Sequence, residues 1–262
     1  MDTSPHSAVL NELRSKLRKM QRGTEPVSTG QRLASTGIPA LDGLLTPGWL
    51  RPGMIVEWVT AGAGSGAARL ACPMVTQALH RGGALVVVDA QREFYPPAAV
   101  QLGLDLTRTI VIRPHSQQET IWTLEQSLRC SGVAATWAWL GKLPDRAFRR
   151  LQLAAEHGAG LGVFLRTPEA LAAPSWADLR WLVEPASSAA EPPLGGRHAE
   201  QEPETIGGRR YSSGRRVRVE LLHCREGIPG GTVYLEIDDE TGAVRVVSPL
   251  VAAAGVPHAA RA

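Results

Sequence analysis

The sequence predicts an α/β protein with a mostly parallel sheet flanked by helices, an antiparallel extension of that sheet toward the C-terminus, and a helix ahead of the core. Between residues 54 and 166, strand-like apolar runs alternate with helical patterns. One of these runs, ALVVVDA at 84–90, is apolar almost throughout, as in a strand that is buried on both faces. After residue 179 the strand-like runs follow one another without a helical pattern between them, which is typical of antiparallel strands.

The N-terminal segment predicts a basic amphipathic helix over residues 7–21. Leu10, Leu13 and Leu17 fall on one face of this helix, and basic residues surround that face. We expect these three leucines to contact another polypeptide, with packing on the chain's own core as the alternative.

The chain then divides by composition into three parts. These are a helix and linker at 1–32, a core at 33–248 that contains a flexible loop at 185–214, and a disordered tail at 249–262.

The elements of the core follow in order. Five strands are predicted for the parallel part, at 54–59, 84–90, 109–114, 134–140 and 161–166. Helices are predicted from the Gly-rich turn to about residue 81, at 118–129 and at 145–158. Antiparallel strands are predicted at 179–184, 215–224, 231–238 and 243–248, the last two joined by the turn DDETG.

The composition excludes several classes of protein. The 262 residues are 44% hydrophobic and 20% charged, and no apolar run approaches the roughly 18 residues that a membrane helix needs. Cys72, Cys130 and Cys224 are widely spaced, so neither a disulfide framework nor a metal site is predicted. We therefore expect a cytoplasmic protein that makes no membrane contact.

The stretch WVTAGAGSGAARL, residues 58–70, carries the strongest motif. In a phosphate-binding loop, G-x-x-x-x-G-K-[ST], the lysine contacts the β- and γ-phosphates and the hydroxyl binds Mg²⁺. If Gly66 is the second glycine of that pattern, Ala61 stands at the first glycine, Ala67 at the lysine and Ala68 at the hydroxyl residue. The glycines of a phosphate-binding turn are present without its charged and hydroxyl groups.

The same stretch fits a second motif. Gly62, Gly64 and Ala67 match G-x-G-x-x-A, and Asp89 follows Ala67 where a dinucleotide-binding fold has its ribose-binding acid. A dinucleotide-dependent enzyme is therefore one alternative, although a capping role for Asp89 in the next turn also accounts for that residue.

Longer segments resemble the RecA recombinase core. The segment STGIPALDGLLTPGWLRPGMIVEWVTAGAGSGAA is similar to the start of that core, and ALVVVDAQREFYPPAAVQLGLDL is similar to its next strand and the segment that follows. Within this superfamily the chain most resembles the ImuA family, through EFYPPAA, WAWL, FRRLQLAAE and SWADLRWLVEP. The resemblance covers roughly residues 33–248.

This resemblance implies an accessory role in SOS-induced, error-prone DNA synthesis past lesions. The implied partners are an ImuB-like polymerase subunit and an error-prone polymerase III alpha-type subunit, with RecA and weakly bound DNA as further candidates. No cofactor is implied, and a nucleoid-associated location is expected. A cell-division inhibitor of the SulA type, which also has a RecA-like core, is a second alternative.

By the same resemblance, the catalytic positions are degenerate. Ala67 and Ala68 replace the lysine and the hydroxyl, and Trp139 or Leu140 stands where the Walker B aspartate belongs. Gln91 replaces the catalytic glutamate, and Glu93 is expected to point elsewhere. We therefore predict that the chain does not hydrolyse ATP, with Gly62, Gly64 and Gly66 kept for the turn itself or for a weak anion contact.

Three further groups of residues are candidates. Arg166 ends the fifth strand, where we expect it to be solvated unless it meets DNA or a partner, and Trp137 and Trp139 are expected to face the helix layer. A basic and aromatic cluster is the candidate for DNA or partner binding, and its members are Arg209, Arg210, Tyr211, Arg215, Arg216 and Arg218.

Overall fold

A computed structural model describes residues 35–45, 50–61, 65–186, 214–225, 227–239 and 241–247. The predicted N-terminal helix, most of the predicted loop at 185–214 and the predicted tail at 249–262 lie outside these residues. No helix in the described part of the chain has the length and hydrophobicity that crossing a membrane requires.

The described residues form nine strands and five α-helices. The strands are β1 Ile55–Thr60, β2 Ala84–Val88, β3 Thr109–Ile112, β4 Val133–Leu140, β5 Leu161–Arg166, β6 Leu179–Pro185, β7 Gly214–Cys224, β8 Thr232–Asp238 and β9 Val244–Val246. The helices are α1 Pro39–Asp42, α2 Ala67–Leu79, α3 Pro96–Gln101, α4 Gln117–Arg129 and α5 Asp145–Gly158, with 3-10 turns η1 Leu106–Arg108 and η2 Pro168–Ala172.

The described strands make one sheet in the order β3-β2-β4-β5-β1-β6-β7-β8-β9. Every pairing from β3 to β6 is parallel, and β7 to β9 continue the sheet with antiparallel pairings. This confirms the predicted α/β class with its antiparallel extension. The sixth strand differs from the prediction, because β6 pairs parallel with β1 and only its other edge pairs antiparallel, with β7.

The strand order also bears on the dinucleotide alternative. In a dinucleotide-binding fold the first two strands are neighbours. Here β4 and β5 separate β1 from β2. The topology therefore does not support that alternative.

Helices cover both faces of the parallel part of the sheet. On one face, Leu70 and Met74 of α2 belong to the same buried cluster as Trp58 and Trp181, whose rings stack at 5.8 Å. On the other face, α4 and α5 pack over β2, β4 and β5, and Phe148 contacts Phe164.

The close approach of α4 and α5 requires a glycine. A Cβ atom on Gly158, the last residue of α5, would lie 2.0 Å from the carbonyl oxygen of Leu128 in α4. No atom fits at that distance, so only glycine allows the end of α5 to pack here.

Candidate functional site

A cleft of about 830 Å³ opens where β1, β4 and β5 end at the carboxyl edge of the sheet. The turn into α2, the loop after β2, helix α3 and the residues after β5 form its walls. Clefts at the carboxyl ends of parallel strands are where α/β proteins place their ligands. The cleft is therefore the candidate functional site.

The turn into α2 supplies one wall. Gly66 is the residue before the helix, and its φ of +80° is a backbone conformation that residues other than glycine rarely adopt. A Cβ atom there would also lie 2.6 Å from Cδ1 of Ile237 on β8. The turn itself thus accounts for Gly66, whereas Gly62 and Gly64 lie outside the described residues.

The first turn of α2 is small and apolar. Ala67 is buried, Ala68 is half-buried, and both line the cleft. The first turn contains no acidic residue, and the hydroxyl of Ser65 accepts a hydrogen bond from the N–H of Ala67 at 3.4 Å. The two positions where a phosphate-binding loop has its lysine and its hydroxyl therefore present methyl groups to the cleft.

The end of β4 contributes an aromatic and an aliphatic side chain. Trp139 and Leu140 both line the cleft, and neither carries a carboxylate that could bind a metal ion. The ring of Trp139 contacts Trp137 at 5.6 Å and Phe94 at 6.5 Å between centroids. Both tryptophans pack on the α2 side of the sheet, which confirms that they face a helix layer.

The loop after β2 is held by Asp89. Its buried carboxylate accepts hydrogen bonds from the backbone N–H of Glu93 at 2.7 Å and of Phe94 at 3.3 Å, and it pairs with Arg113. The predicted capping role is confirmed. The loop turns Gln91 and Glu93 toward the same cleft, so the expectation that Glu93 points elsewhere is wrong.

A buried charge network lies beside the cleft, on the face of the sheet that α5 covers. The guanidinium of Arg166 pairs with the carboxylate of Glu57 on β1, and Arg180 on β6 reaches the same carboxylate at 3.2 Å. Ser175 donates a hydrogen bond to Glu57 at 2.6 Å. The expectation that Arg166 is solvated is wrong, because its side chain is only 3% exposed.

The remaining contacts of Arg166 hold the end of β4. Its Nε donates to the carbonyl oxygen of Leu140 at 3.2 Å and one Nη to that of Gly141 at 3.0 Å. Burial lowers the pKa of Arg166, and the charge of Glu57 opposes that effect. The sequence signal for this network was a charged residue inside two apolar strands, Glu57 in MIVEWV and Arg180 in LRWLVE.

The rim of the cleft joins α2 to the antiparallel strands. Arg69 donates to the carbonyl oxygen of Asp238 at 3.1 Å and approaches the carboxylate of Asp239 at 3.9 Å. Arg215 pairs with the same carboxylate at 2.6 Å. The turn after β8 is thereby fixed against the start of α2.

The arginines of the predicted DNA cluster divide into two groups. Arg215, Arg216 and Arg218 lie on β7 rather than in a flexible segment, and each pairs with at least one carboxylate. The partners are Asp239 for Arg215, Glu236 for Arg216, and Glu184 and Glu220 for Arg218. Arg209, Arg210 and Tyr211 lie outside the described residues, as do Leu10, Leu13 and Leu17.

No group of three or more His, Cys, Asp or Glu side chains within the described ranges has the arrangement of a metal site. Cys72 and Cys224 are buried and form no disulfide within the described residues, and burial raises the pKa of the Cys72 thiol to about 12.

The sheet order, the helices on both faces and the Gly-rich turn after β1 define a RecA-like core. A solved structure agrees, since the chain resembles a crystal structure of the RadB recombinase with a TM-score of 0.55 at 19% identity, covering 80% of this chain and 98% of that one. No protein-family model matches the chain.

Curated relatives define the family. The chain is 34% identical over 229 residues to the protein ImuA of Caulobacter vibrioides strain NA1000 / CB15N, covering 82% of this chain and 86% of that protein. It is also 31% identical over 114 residues to RecA of Chlorobaculum tepidum, covering 44% of this chain and 33% of that protein. The chain belongs to the ImuA family, RecA-like proteins of the DNA damage response.

Proposed function

We propose that the chain is a non-catalytic, RecA-like accessory protein of SOS-induced, error-prone translesion DNA synthesis. It acts as an adaptor that joins an ImuB-like polymerase subunit to an error-prone polymerase III alpha-type subunit. RecA and weakly bound DNA are further partners, and the protein works in the cytoplasm at the nucleoid. Its membership in the ImuA family supports this role over a SulA-type one.

The composition of the cleft is the observation that carries the non-catalytic part of this proposal. ATP hydrolysis needs positive charge at the β- and γ-phosphates, ligands for Mg²⁺ and a group that orients the attacking water. The cleft presents Ala67 at the position of the lysine that supplies the positive charge. At the positions of the Mg²⁺ ligands it presents Ala68 and either Trp139 or Leu140. Glu93 lines the cleft, but one carboxylate replaces neither the phosphate-binding lysine nor the Mg²⁺-binding hydroxyl.

Reconstitution tests the adaptor role. The purified chain is mixed with the ImuB-like subunit and the polymerase subunit of the same organism, each alone and then together, and the mixtures are separated by size-exclusion chromatography. We expect the chain to co-elute with the ImuB-like subunit and to increase recovery of the polymerase subunit in the same peak. Elution of the chain alone in every mixture would refute the adaptor role.

We also propose a weak, sequence-independent DNA contact through the arginines and Tyr211 at residues 209–218. Flexible arginine-rich segments can follow a phosphate backbone. The carboxylates beside Arg215, Arg216 and Arg218 reduce the positive charge that these three can offer. Arg209 and Arg210 are therefore the members of the cluster that we expect to contribute most.

The third proposal concerns the N-terminal segment, whose Leu10, Leu13 and Leu17 we expect to bind another polypeptide. A helix of about 15 residues is marginally stable alone in water, so its leucine face needs a partner surface. Removal of residues 1–22 tests this. Loss of self-association or partner binding at an unchanged melting temperature supports binding in trans, whereas a lowered melting temperature with all partners retained assigns the segment to its own core.

A further inference from the structure

The cleft has the lining of a binding site for an apolar side chain. Ala67, Ala68, Leu102, Trp139, Leu140 and Leu165 present carbon atoms to it. Its volume of about 830 Å³ falls within the range of ligand-binding pockets, which are mostly apolar with a few convergent polar groups. Ala67 and Ala68 contribute small side chains to this lining, and Trp139 contributes an aromatic ring.

The buried charge network beside the cleft is not balanced. Two guanidinium groups, those of Arg166 and Arg180, share the single carboxylate of Glu57. Within the described residues no second carboxylate lies within salt-bridge distance of either arginine, and their other hydrogen bonds go to carbonyl oxygens. The network therefore carries one net positive charge in a buried position next to the cleft.

Two further features favour one negative charge in this cleft. The N-terminus of α2, which carries the positive end of the helix dipole, lines the cleft and contains no acidic residue in its first turn. On the opposite wall, Glu93 is exposed and disfavours a ligand with many negative charges. At the rim, Arg69 and Arg215 share the carboxylate of Asp239, and the extra positive charge of that group offsets the charge of Glu93. One positive charge then remains, which one carboxylate balances, whereas a nucleoside triphosphate brings three to four negative charges.

We propose that the cleft binds a peptide segment of the ImuB-like subunit in which a bulky apolar side chain adjoins the carboxylate of an aspartate or glutamate. This inference rests on the adaptor function proposed above. The apolar side chain packs against Ala67, Ala68 and Trp139. The carboxylate lies on the side of Arg166, where the excess positive charge attracts it.

The test compares two substitutions at one position in the full-length chain. Ala68→Glu and Ala68→Gln place side chains of nearly equal size in the cleft, and only the first adds a negative charge. A glutamate in the first turn of a helix is favourable to the helix, so we expect both variants to fold. Gln101 also lines the cleft, and Gln101→Glu adds a negative charge there with little change in side-chain shape. Gln77→Glu is the control, because it makes the same change on α2 at a position outside the cleft.

The measurement is the Kd of each variant for the full-length ImuB-like subunit, with and without millimolar ADP. We expect Ala68→Glu to bind about tenfold more weakly than Ala68→Gln, because it places a like charge beside the ligand carboxylate. Gln101→Glu should weaken binding in the same direction, Gln77→Glu should leave it unchanged, and ADP should not compete.

The remaining outcomes overturn the proposal in distinguishable ways. Equal affinity of all variants removes the cleft as the binding site and leaves the adaptor function standing. Equal weakening by Ala68→Glu and Ala68→Gln shows that only side-chain size matters, and it refutes the proposed carboxylate of the ligand. Competition by ADP makes a nucleotide the occupant. Absence of binding by the unmodified chain refutes the adaptor function, and this inference with it.

Discussion

The guanidinium of Arg166, at the end of β5, is paired inside the protein with the carboxylate of Glu57 in the middle of β1. The side chain of Arg166 is 3% exposed and that of Glu57 is fully buried. Because Arg180 shares the carboxylate, one residue of β1 links the end of β5 to the start of β6, the strands on either side of it. Arg180 in turn donates to the carbonyl oxygens of Ala170 and Ala173, so the segment after β5 depends on the same carboxylate.

Removing this carboxylate should be strongly destabilising. Glu57→Gln leaves two guanidinium groups buried without a counter-charge, and breaking a buried ion pair from one side costs about 3–5 kcal/mol. We expect the urea midpoint of unfolding to fall accordingly. Glu93→Gln is the control, since Glu93 is exposed in the cleft and should change the free energy of unfolding by no more than about 0.5 kcal/mol. Equal midpoints for the two variants would show that the network does not stabilise the fold.

The chain should not hydrolyse ATP, and restoring the lysine alone should not change that. We expect Ala67→Lys, like the unmodified protein, to release no phosphate above a no-protein control in the presence of Mg²⁺ and DNA. The reason is that Ala68, Trp139 and Leu140 still provide no ligand for Mg²⁺, and Gln91 stands where the catalytic glutamate belongs. A RecA protein assayed in the same buffer is the positive control. DNA-stimulated phosphate release by the unmodified protein would contradict the prediction.

The sequence predicted the sheet well where strands alternate with helices. The orientation of β6 was missed because parallel strands are usually joined through a helix, and none is predicted between 166 and 179. In the structure the 3-10 turn η2, Pro168–Ala172, provides that connection. A short turn flanked by irregular residues leaves no periodic pattern that sequence reasoning could use.

The cleft was predicted only in part, and for a physical reason. Ala67, Ala68 and Gln91 follow recognisable strands, so their placement came from local sequence. The burial of Arg166 depends instead on Glu57, which is 109 residues away in the chain, and on the segment after β5. The orientation of Glu93 depends on the hydrogen bonds that Asp89 makes within its loop. Neither long-range pairing nor loop geometry has a signature in a short window of sequence.

The two halves of the arginine cluster should contribute unequally to DNA binding. Each phosphate contact adds a slope of roughly −0.9 for duplex, or −0.7 for single strands, to the dependence of log K on log salt. We expect the double variant Arg209→Gln, Arg210→Gln to flatten this slope. The matched double variant Arg216→Gln, Arg218→Gln should flatten it less, because Glu236, Glu184 and Glu220 already neutralise those side chains.

Binding isotherms for duplex and single-stranded oligonucleotides over a series of salt concentrations measure both slopes. Equal flattening by the two double variants would show that the carboxylates of β6, β7 and β8 do not reduce the contribution of Arg216 and Arg218. If the unmodified protein binds neither form of DNA at low salt, the cluster does not contact DNA.

The ionisation of Asp178 and that of Asp105 should change the free energy of unfolding in opposite directions as pH rises. The carboxylate of Asp178 accepts a hydrogen bond from Ile55 N at 2.9 Å and pairs with Arg225 at 2.8 Å, yet its burial raises its pKa. The folded protein therefore holds a proton that the unfolded chain releases, and this residue lowers stability as pH rises from the ordinary aspartate range through the raised pKa. The pKa of exposed Asp105 is lowered, chiefly by the hydrogen bond from Thr107, so its contribution is present above the ordinary range and is lost as pH falls.

Urea unfolding of Asp178→Asn and Asp105→Asn at a series of pH values from about 3 to 7 separates these effects, since the ordinary aspartate pKa is about 3.9. Relative to the unmodified protein, Asp178→Asn should gain stability as pH rises through this window, and Asp105→Asn should lose it. Arg225→Gln removes a charge that lowers the pKa of Asp178, so it should extend the pH range over which the Asp178 effect develops. The prediction is wrong if the stability of Asp178→Asn relative to the unmodified protein does not change with pH, or changes in the same direction as for Asp105→Asn. That result would mean that Arg225 and the N–H of Ile55 outweigh the cost of burying the charge.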